Sequence, residues 1–166
     1  MNQRPTAFSA AADRLQRTAE RSADFDQATA TLARLIHFAA KSLTDEVNTA
    51  LKTHGLNYPS YAVLVMLFGT ADYRLTPGEL AAATHEKPAN LTRLCDELAR
   101  QQLVRRTADP ADRRRVQISL TPEGQRRLSA VLPVAMAVIQ QRFACLTPTD
   151  QHQLARLLRQ LVDGST

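Results

Sequence analysis

Residues 103–124 constrain the fold of this chain more than any other segment. Apolar and β-branched residues lie on both sides of an Asp-Pro pair and of three consecutive arginines, Arg113, Arg114 and Arg115. Two short runs of β-forming residues that enclose a turn signal are typical of a hairpin. We therefore predict two short β-strands joined by an arginine-tipped loop, the shape known as a β-wing.

Two helical patterns precede the predicted wing. Residues 76–84 begin with Thr76 and Pro77, and Glu79 follows three positions after Thr76, which is the pattern of a capping box. After a short turn, a second helical stretch covers residues 88–101. Helix, turn, helix and basic hairpin in this order predict a winged helix-turn-helix. Such a fold places its second helix in the major groove of DNA and its wing on the flanking backbone or minor groove.

The positive charge of the chain is concentrated on this predicted head. Residues 87–127 contain ten Lys and Arg against five Asp and Glu, whereas the rest of the 166-residue chain has eleven of each. The net charge of +5 therefore lies in one segment. Contacts with DNA phosphates require such a concentration, and a generally solvated basic surface does not predict it.

Longer helical patterns flank the head. The first strong stripe runs from Leu32 to Leu51 and should end at Gly55, and the pairs Thr121-Pro122 and Thr147-Pro148 signal two later helix starts. The apolar stripes of these helices are larger than a small head can cover, so a second copy of the chain is the economical partner. We predict four segments, namely an N-terminal extension over residues 1–25, dimerisation helices over 26–56 and 121–164, and the DNA-binding domain over 57–120. Within the extension, we expect residues 1–10 to be untethered and residues 11–24 to form a polar helix.

Four motifs give the chain a specific family resemblance. They read LTRLCDEL at residues 91–98, LVRR at 103–106, DPADRR at 109–114 and LTPEG at 120–124. In composition and spacing they resemble the MarR family of bacterial transcription regulators, and the likeness covers roughly residues 15–162 and is greatest to its EmrR (MprA) branch. The resemblance implies a mainly α-helical fold with a small β-wing, a dimer built by the first and last two helices, and a role as a repressor. Two heads related by a two-fold axis would read an inverted repeat in double-stranded DNA, with half-sites about 34 Å apart.

The start of the second helix of the helix-turn-helix points at base edges. Asn90 can pair with an adenine through two hydrogen bonds, and Ala89 can touch a thymine methyl group. We predict that DNA is contacted there by five residues, Lys87, Pro88, Ala89, Asn90 and Arg93. The alternative for Asn90 and Arg93 is a helix cap and a phosphate contact.

Arg113, Arg114 and Arg115 are the predicted DNA contacts of the wing. The resemblance implies that Arg114 enters the minor groove, where a narrow A-tract concentrates negative potential, and that Asp112 anchors the wing by pairing with a nearby arginine. Two positions depart from the family pattern, because His85 and Gln102 stand where related sequences have glycine in tight turns. A left-handed conformation there costs a residue other than glycine about 1–2 kcal/mol, so altered turns are expected.

The resemblance also implies a small aromatic or phenolic effector that binds between the dimer helices and the head. We predict that an apolar cleft with few polar groups holds it. The lining would come from His37 and Phe38 on the first long helix and Tyr58, Tyr61 and Val65 on the second, with Arg106 for an anionic group. The alternative is that these residues are ordinary core.

Two other regulatory classes stay open as alternatives, a redox-responsive regulator and a sequence-tolerant architectural DNA-binding protein. The resemblance implies that a redox-sensing member would have a cysteine in the first long helix, and this chain has none there. Its two cysteines, Cys95 and Cys145, are expected to be half-buried and unpaired, and the acidic neighbours Asp96 and Glu97 should raise the pKa of Cys95.

Several classes of protein are disfavoured by what the sequence lacks. It has no glycine-rich phosphate loop, nucleophile elbow or HExxH motif, so we do not expect an enzyme or a cofactor. Its four histidines show no ligand spacing for a metal. No apolar run reaches the 18 or more residues of a membrane helix and no secretory signal is present, so we expect a cytoplasmic protein without a membrane partner.

Overall fold

The computed structural model describes residues 7–108 and 116–164. As predicted, the fold is mainly helical with a small antiparallel sheet. Its elements in chain order are α1 (Ala7–Arg21), α2 (Gln27–Leu51) continued by a 3-10 turn (Lys52–His54), α3 (Tyr58–Phe68), β1 (Arg74–Leu75), α4 (Pro77–Thr84), α5 (Pro88–Arg100), β2 (Val104–Ala108), β3 (Val116–Leu120), α6 (Pro122–Phe143) and α7 (Pro148–Asp163).

The chain divides into two compact units, residues 1–46 and 47–166. In the first unit the ring of Phe8 on α1 meets the ring of Phe38 on α2 edge-on, with centroids 5.9 Å apart. Helix α1 begins at Ala7, so the expectation that residues 7–10 are untethered was wrong. The aromatic contact explains the error, because a pattern of helical spacing does not reveal a partner on another helix.

Helix α3 forms the centre of the second unit. It runs from Tyr58 to Phe68, and its residues are apolar nearly all round, which suits a helix buried in the middle of the fold. Val63, Leu64 and Leu67 have no exposed surface. The Asn57 side chain accepts a hydrogen bond from the Ser60 amide at 2.9 Å and so fixes the start of the helix. The predicted head is therefore built around an apolar, buried helix.

The wing strands β2 and β3 pair antiparallel, with Arg106 opposite Ile118. The predicted hairpin is confirmed for its strands, whereas Asp112, Arg113, Arg114 and Arg115 lie outside the described residues. A third strand, β1, pairs with β3 on its other side and was not predicted. A strand of two residues is too short to show any periodicity.

The two turns with unusual residues keep the geometry that glycine would adopt. His85 has a φ of 55° and Gln102 a φ of 60°, both left-handed. The residues after them close the helix ends, because the Glu86 amide donates to the Ala81 carbonyl at 3.1 Å and the Leu103 amide to the Leu98 carbonyl at 2.9 Å. The expectation of altered turns was therefore wrong, since these hydrogen bonds offset part of the backbone cost.

The last two helices begin at the predicted caps. The Thr121 hydroxyl accepts from the Gly124 amide at 2.9 Å, and Thr147 forms a capping box with Asp150. None of the described residues of α7 is buried. In the described part of the chain no helix is by itself long and apolar enough to cross a membrane, and α6 with α7 meets the length and composition criteria only as a pair bent by 99°.

Candidate nucleic-acid interface

Helix α5 is anchored by one face and exposed on the other. Leu91, Leu94, Cys95 and Leu98 are buried, because they recur at three- and four-residue spacing and pack into the head. Lys87, Pro88 and Ala89 at its start are exposed, as is Arg93 one turn later. Lys87 is the cap residue of the helix and makes no capping bond with its side chain. The residues predicted to read DNA therefore begin a firmly seated helix, although their contacts with DNA stay a prediction.

Asn90 is held at both ends of its side-chain amide. Its Nδ2 donates to Glu86 Oε2 at 2.6 Å, and its Oδ1 accepts from Arg93 Nη2 at 3.0 Å. The helix cap is Lys87, so the alternative interpretation of Asn90 as a cap was wrong. Sequence reasoning missed Glu86, because it lies before the start of α5 and helical spacing therefore gave no signal for its bond to Asn90.

Arg106 links the wing to α5, the second or recognition helix of the helix-turn-helix. Its Nη2 lies 2.8 Å from Asp96 Oδ1 and 3.4 Å from the carbonyl oxygen of Thr92. A guanidinium carries five N–H donors in a planar fork, so one arginine can contact a carboxylate and a carbonyl together. The predicted anion-binding residue is thus already paired with a carboxylate of the same chain.

Ion pairs reduce the number of free cations on the head. Arg93 lies 3.6 Å from Glu97, and Arg126 pairs with Glu123. Among the residues that the structure describes, no carboxylate pairs with Lys87, Arg100 or Arg105. Within the described part of residues 87–127, these three cations can therefore contact DNA phosphates without first breaking an ion pair.

An apolar cleft of about 290 Å³ lies within the head, between α4, α5 and the wing strands. Leu91, Cys95 and Ile118 are among the residues that line it, and Thr92 and Arg106 are its polar lining residues. Tyr58, Tyr61 and Val65 do not line it. His37 and Phe38 belong to the first unit of the chain. A site that combines these five residues stays a prediction.

The two cysteines differ in environment. Cys95 is buried and Cys145 is exposed, and neither of these described residues forms a disulfide. The expectation of two half-buried thiols was therefore wrong. The pKa of Cys95 is raised, as expected, but mainly by burial, with the nearby Arg106 charge lowering it and Asp96 adding a smaller increase. Within residues 7–108 and 116–164, no group of three or more His, Cys, Asp and Glu side chains could hold a metal ion.

Comparisons with known proteins agree with this architecture. The family model of the MarR family matches residues 54–115. The transcriptional repressor MprA of Escherichia coli K12 is 29% identical over 157 residues, which cover 95% of this chain and 89% of that protein.

Two solved structures extend the comparison. Sco3205, a MarR family transcriptional regulator from Streptomyces coelicolor solved in complex with DNA, superposes with a TM-score of 0.75 at 29% identity and covers 80% of this chain and 84% of its own. CouR from Rhodococcus jostii RHA1, solved bound to p-coumaroyl-CoA, has a TM-score of 0.72 at 30% identity, covering 78% and 90%. The known proteins to which the chain is similar are thus transcriptional regulators and not enzymes. The chain belongs to the MarR family of DNA-binding transcriptional regulators.

Proposed function

We propose that this protein is a cytoplasmic homodimer that binds an inverted-repeat operator and represses transcription until a small aromatic or phenolic acid releases it. The observation that carries the proposal is the start of α5. There Lys87, Ala89 and Arg93 are exposed while the opposite face of the helix is buried in the head. A rigid helix that presents a cation and an amide group at its N-terminal end suits major-groove recognition.

The dimer is supported by apolar side chains that the single chain leaves open to solvent. On α7, Leu161 is 57% exposed and Val162 is 76% exposed, and on α2, Leu32 is 62% exposed. Stripes of this kind on long helices are typical of an interface between copies. A two-fold interface would present two α5 helices to successive turns of one face of DNA.

The effector is supported by the chemistry of the cleft beside α5. Its lining is mostly apolar, with Arg106 and Thr92 as its polar residues, which suits a flat ring carrying one anionic group. An anionic ligand that pairs with Arg106 in place of Asp96 would break the 2.8 Å ion pair between β2 and α5. The wing and the recognition helix would then no longer be held in one arrangement for DNA.

Fluorescence anisotropy tests the proposal directly. The purified protein is titrated onto labelled DNA from upstream of its own gene, with scrambled competitor present, and then challenged with salicylate and a panel of aromatic acids. Competitor-resistant binding that one class of compound releases is the expected result. Binding that random DNA abolishes would favour an architectural protein, and specific binding that no compound disturbs would contradict the effector.

A redox-responsive regulator is the second candidate function, and little in the structure supports it. A sensor thiol needs a low pKa and access to the oxidant. Cys95 is buried with a raised pKa. Peroxide added in the same anisotropy assay should leave DNA binding unchanged, and release by peroxide would favour this candidate.

A further inference from the structure

We infer that Glu86 is a specificity-determining residue. Its carboxylate holds the side-chain amide of Asn90 in one orientation and so fixes where that amide offers DNA a hydrogen-bond donor. The inference rests on the proposed function, in which Asn90 reads a base. Glu86 itself need not touch DNA, so it acts as a positioning residue.

The backbone around Glu86 is fixed by the turn between α4 and α5. His85 before it is left-handed at a φ of 55°, and the Glu86 amide donates to the Ala81 carbonyl at 3.1 Å. Glu86 is also half-buried. From this position its carboxylate reaches Asn90 Nδ2 at 2.6 Å, a short distance that suits a charge-assisted hydrogen bond.

Charged groups of opposite sign hold the two ends of the amide. Glu86 accepts from Nδ2, and Arg93 donates to Oδ1 at 3.0 Å. If the amide of Asn90 turned by 180°, its oxygen would face the carboxylate and its N–H groups would face the guanidinium. Both contacts would then be repulsive, so only one orientation is compatible with the neighbours.

The held amide keeps the groups that an adenine requires. A primary amide has two N–H donors and two acceptor lone pairs, and Glu86 and Arg93 use one of each. One donor and one acceptor of Asn90 remain, which is the combination for N7 and N6 of adenine in the major groove. Glu86 therefore prepares Asn90 for one base before DNA arrives and lowers the ordering cost of that contact.

A carboxylate beside a DNA-binding helix also has an electrostatic cost, since it repels phosphates. Glu97, which lies on α5 itself, carries a comparable charge, but it lies 3.6 Å from Arg93, and the described hydrogen bonds of the Asn90 side chain go to Glu86 and Arg93. It offers a matched control. Loss of either charge should strengthen binding to random DNA by a similar factor, whereas only loss of Glu86 should change which base is preferred.

The test selects binding sites from a randomised DNA library with the wild-type protein, Glu86→Gln and Glu97→Gln, and measures affinities for the selected operator and its single-base variants. Glu86→Gln should reduce discrimination at one base pair per half-site by at least about 5-fold, the lower end of what a bidentate base contact provides. Glu97→Gln should keep the wild-type preference. Discrimination that Glu86→Gln leaves intact would overturn the inference while the proposed function stands.

A second measurement separates positioning from a general structural role. In an Asn90→Ala background, Glu86→Gln should change the base preference no further, because the amide that it orients is gone. An equal effect with and without Asn90 would overturn the inference. A wild-type protein that selects no sequence at all would overturn the proposed function and this inference together, and circular dichroism of each variant checks that the helices are formed.

Discussion

The guanidinium of Arg106 on wing strand β2 lies 2.8 Å from the carboxylate of Asp96 on recognition helix α5. Both side chains are about half exposed, at 43% and 54%. An exposed pair contributes only about 0–1 kcal/mol to stability. Its importance is geometric, because together with the bond to the Thr92 carbonyl it ties the wing to the helix that we propose reads DNA.

Arg106→Ala should make DNA release less sensitive to the effector while the protein stays folded, and because it also breaks the link to Asp96 it should weaken operator binding in the absence of effector. The same arginine is the cationic member of the cleft. Charge-assisted hydrogen bonds contribute about 1.5–3 kcal/mol, so the concentration of aromatic acid that releases DNA should rise at least about 10-fold. An anisotropy titration with salicylate or the active acid measures this change. Arg105→Ala removes the same charge from a neighbouring exposed position that does not line the cleft, and it should keep the response. Equal behaviour of the two variants would exclude the cleft as the effector site.

Asn90→Ala and Arg114→Ala should change DNA binding in different ways. Asn90→Ala removes a predicted base contact, so it should relax the sequence preference by about 1–3 kcal/mol at one base pair. Arg114, in the segment outside the described residues, is predicted to meet the minor groove, and its loss should weaken binding to most sites. Affinities for operator and scrambled DNA at one fixed salt concentration distinguish the two effects. Similar losses on both DNAs for both variants would contradict this division of roles.

The sequence was sufficient to predict most of the helix boundaries. Helix α4 begins at the predicted Thr76–Glu79 capping box, α6 begins after Thr121, and α7 begins after Thr147. These signals are local, since a cap involves a side chain and an amide three residues away. The same logic identified the wing strands, which are bounded by turn residues.

The sequence could not predict contacts that depend on where elements meet. The Arg106–Asp96 pair joins a strand to a helix, and the Phe8–Phe38 contact joins two helices. The Glu86–Asn90 bond joins helix α5 to the residue that follows the left-handed His85. Each of these needs the path of the backbone, and no periodicity or motif contains that information.

The apolar face of α7 leads to a prediction about assembly. Leu161→Glu places a charge on a side chain that is 57% exposed in the single chain and that we expect to be covered by the second copy. A buried unpaired charge costs several kcal/mol, so the dimer should weaken at least about 100-fold. Analytical ultracentrifugation over a concentration series measures the change. Gln153→Glu adds the same charge at a polar exposed position of α7 and should leave the dimer intact. A Leu161→Glu protein that remains as dimeric as the wild type would place the interface elsewhere.

The two cysteines should react with alkylating agents at very different rates. Burial raises the pKa of Cys95, so its thiolate fraction at pH 8 lies below that of an ordinary thiol, and access is also restricted. Cys145 is exposed. Iodoacetamide at pH 8 should modify Cys145 first, and Cys95 should be modified at a comparable rate only after unfolding in urea. Peptide mass spectrometry over time follows both sites. Rapid labelling of Cys95 in the folded Cys145→Ser variant would contradict this prediction and support a redox-responsive regulator.

Gly124 gives the last prediction, because it stands where the wing meets the first turn of α6. A Cβ at this position would overlap the carbonyl oxygen of Leu103 and the side chain of Leu120. The Leu103 carbonyl cannot easily move, since it also accepts a hydrogen bond from the Thr121 amide at 3.0 Å. Gly124→Ala should therefore destabilise the protein by about 1–3 kcal/mol, the usual cost of overpacking.

Gly78→Ala is the matched control for this change. Gly78 lies in the first turn of α4, and an added Cβ meets nothing within 4 Å. Alanine has the higher helix propensity, so Gly78→Ala should be neutral or stabilise by up to about 1 kcal/mol. Urea unfolding at one protein concentration, which keeps the contribution of dimerisation constant, measures both variants. If the two substitutions changed stability alike, the close approach of the wing to α6 could not be what requires glycine at position 124.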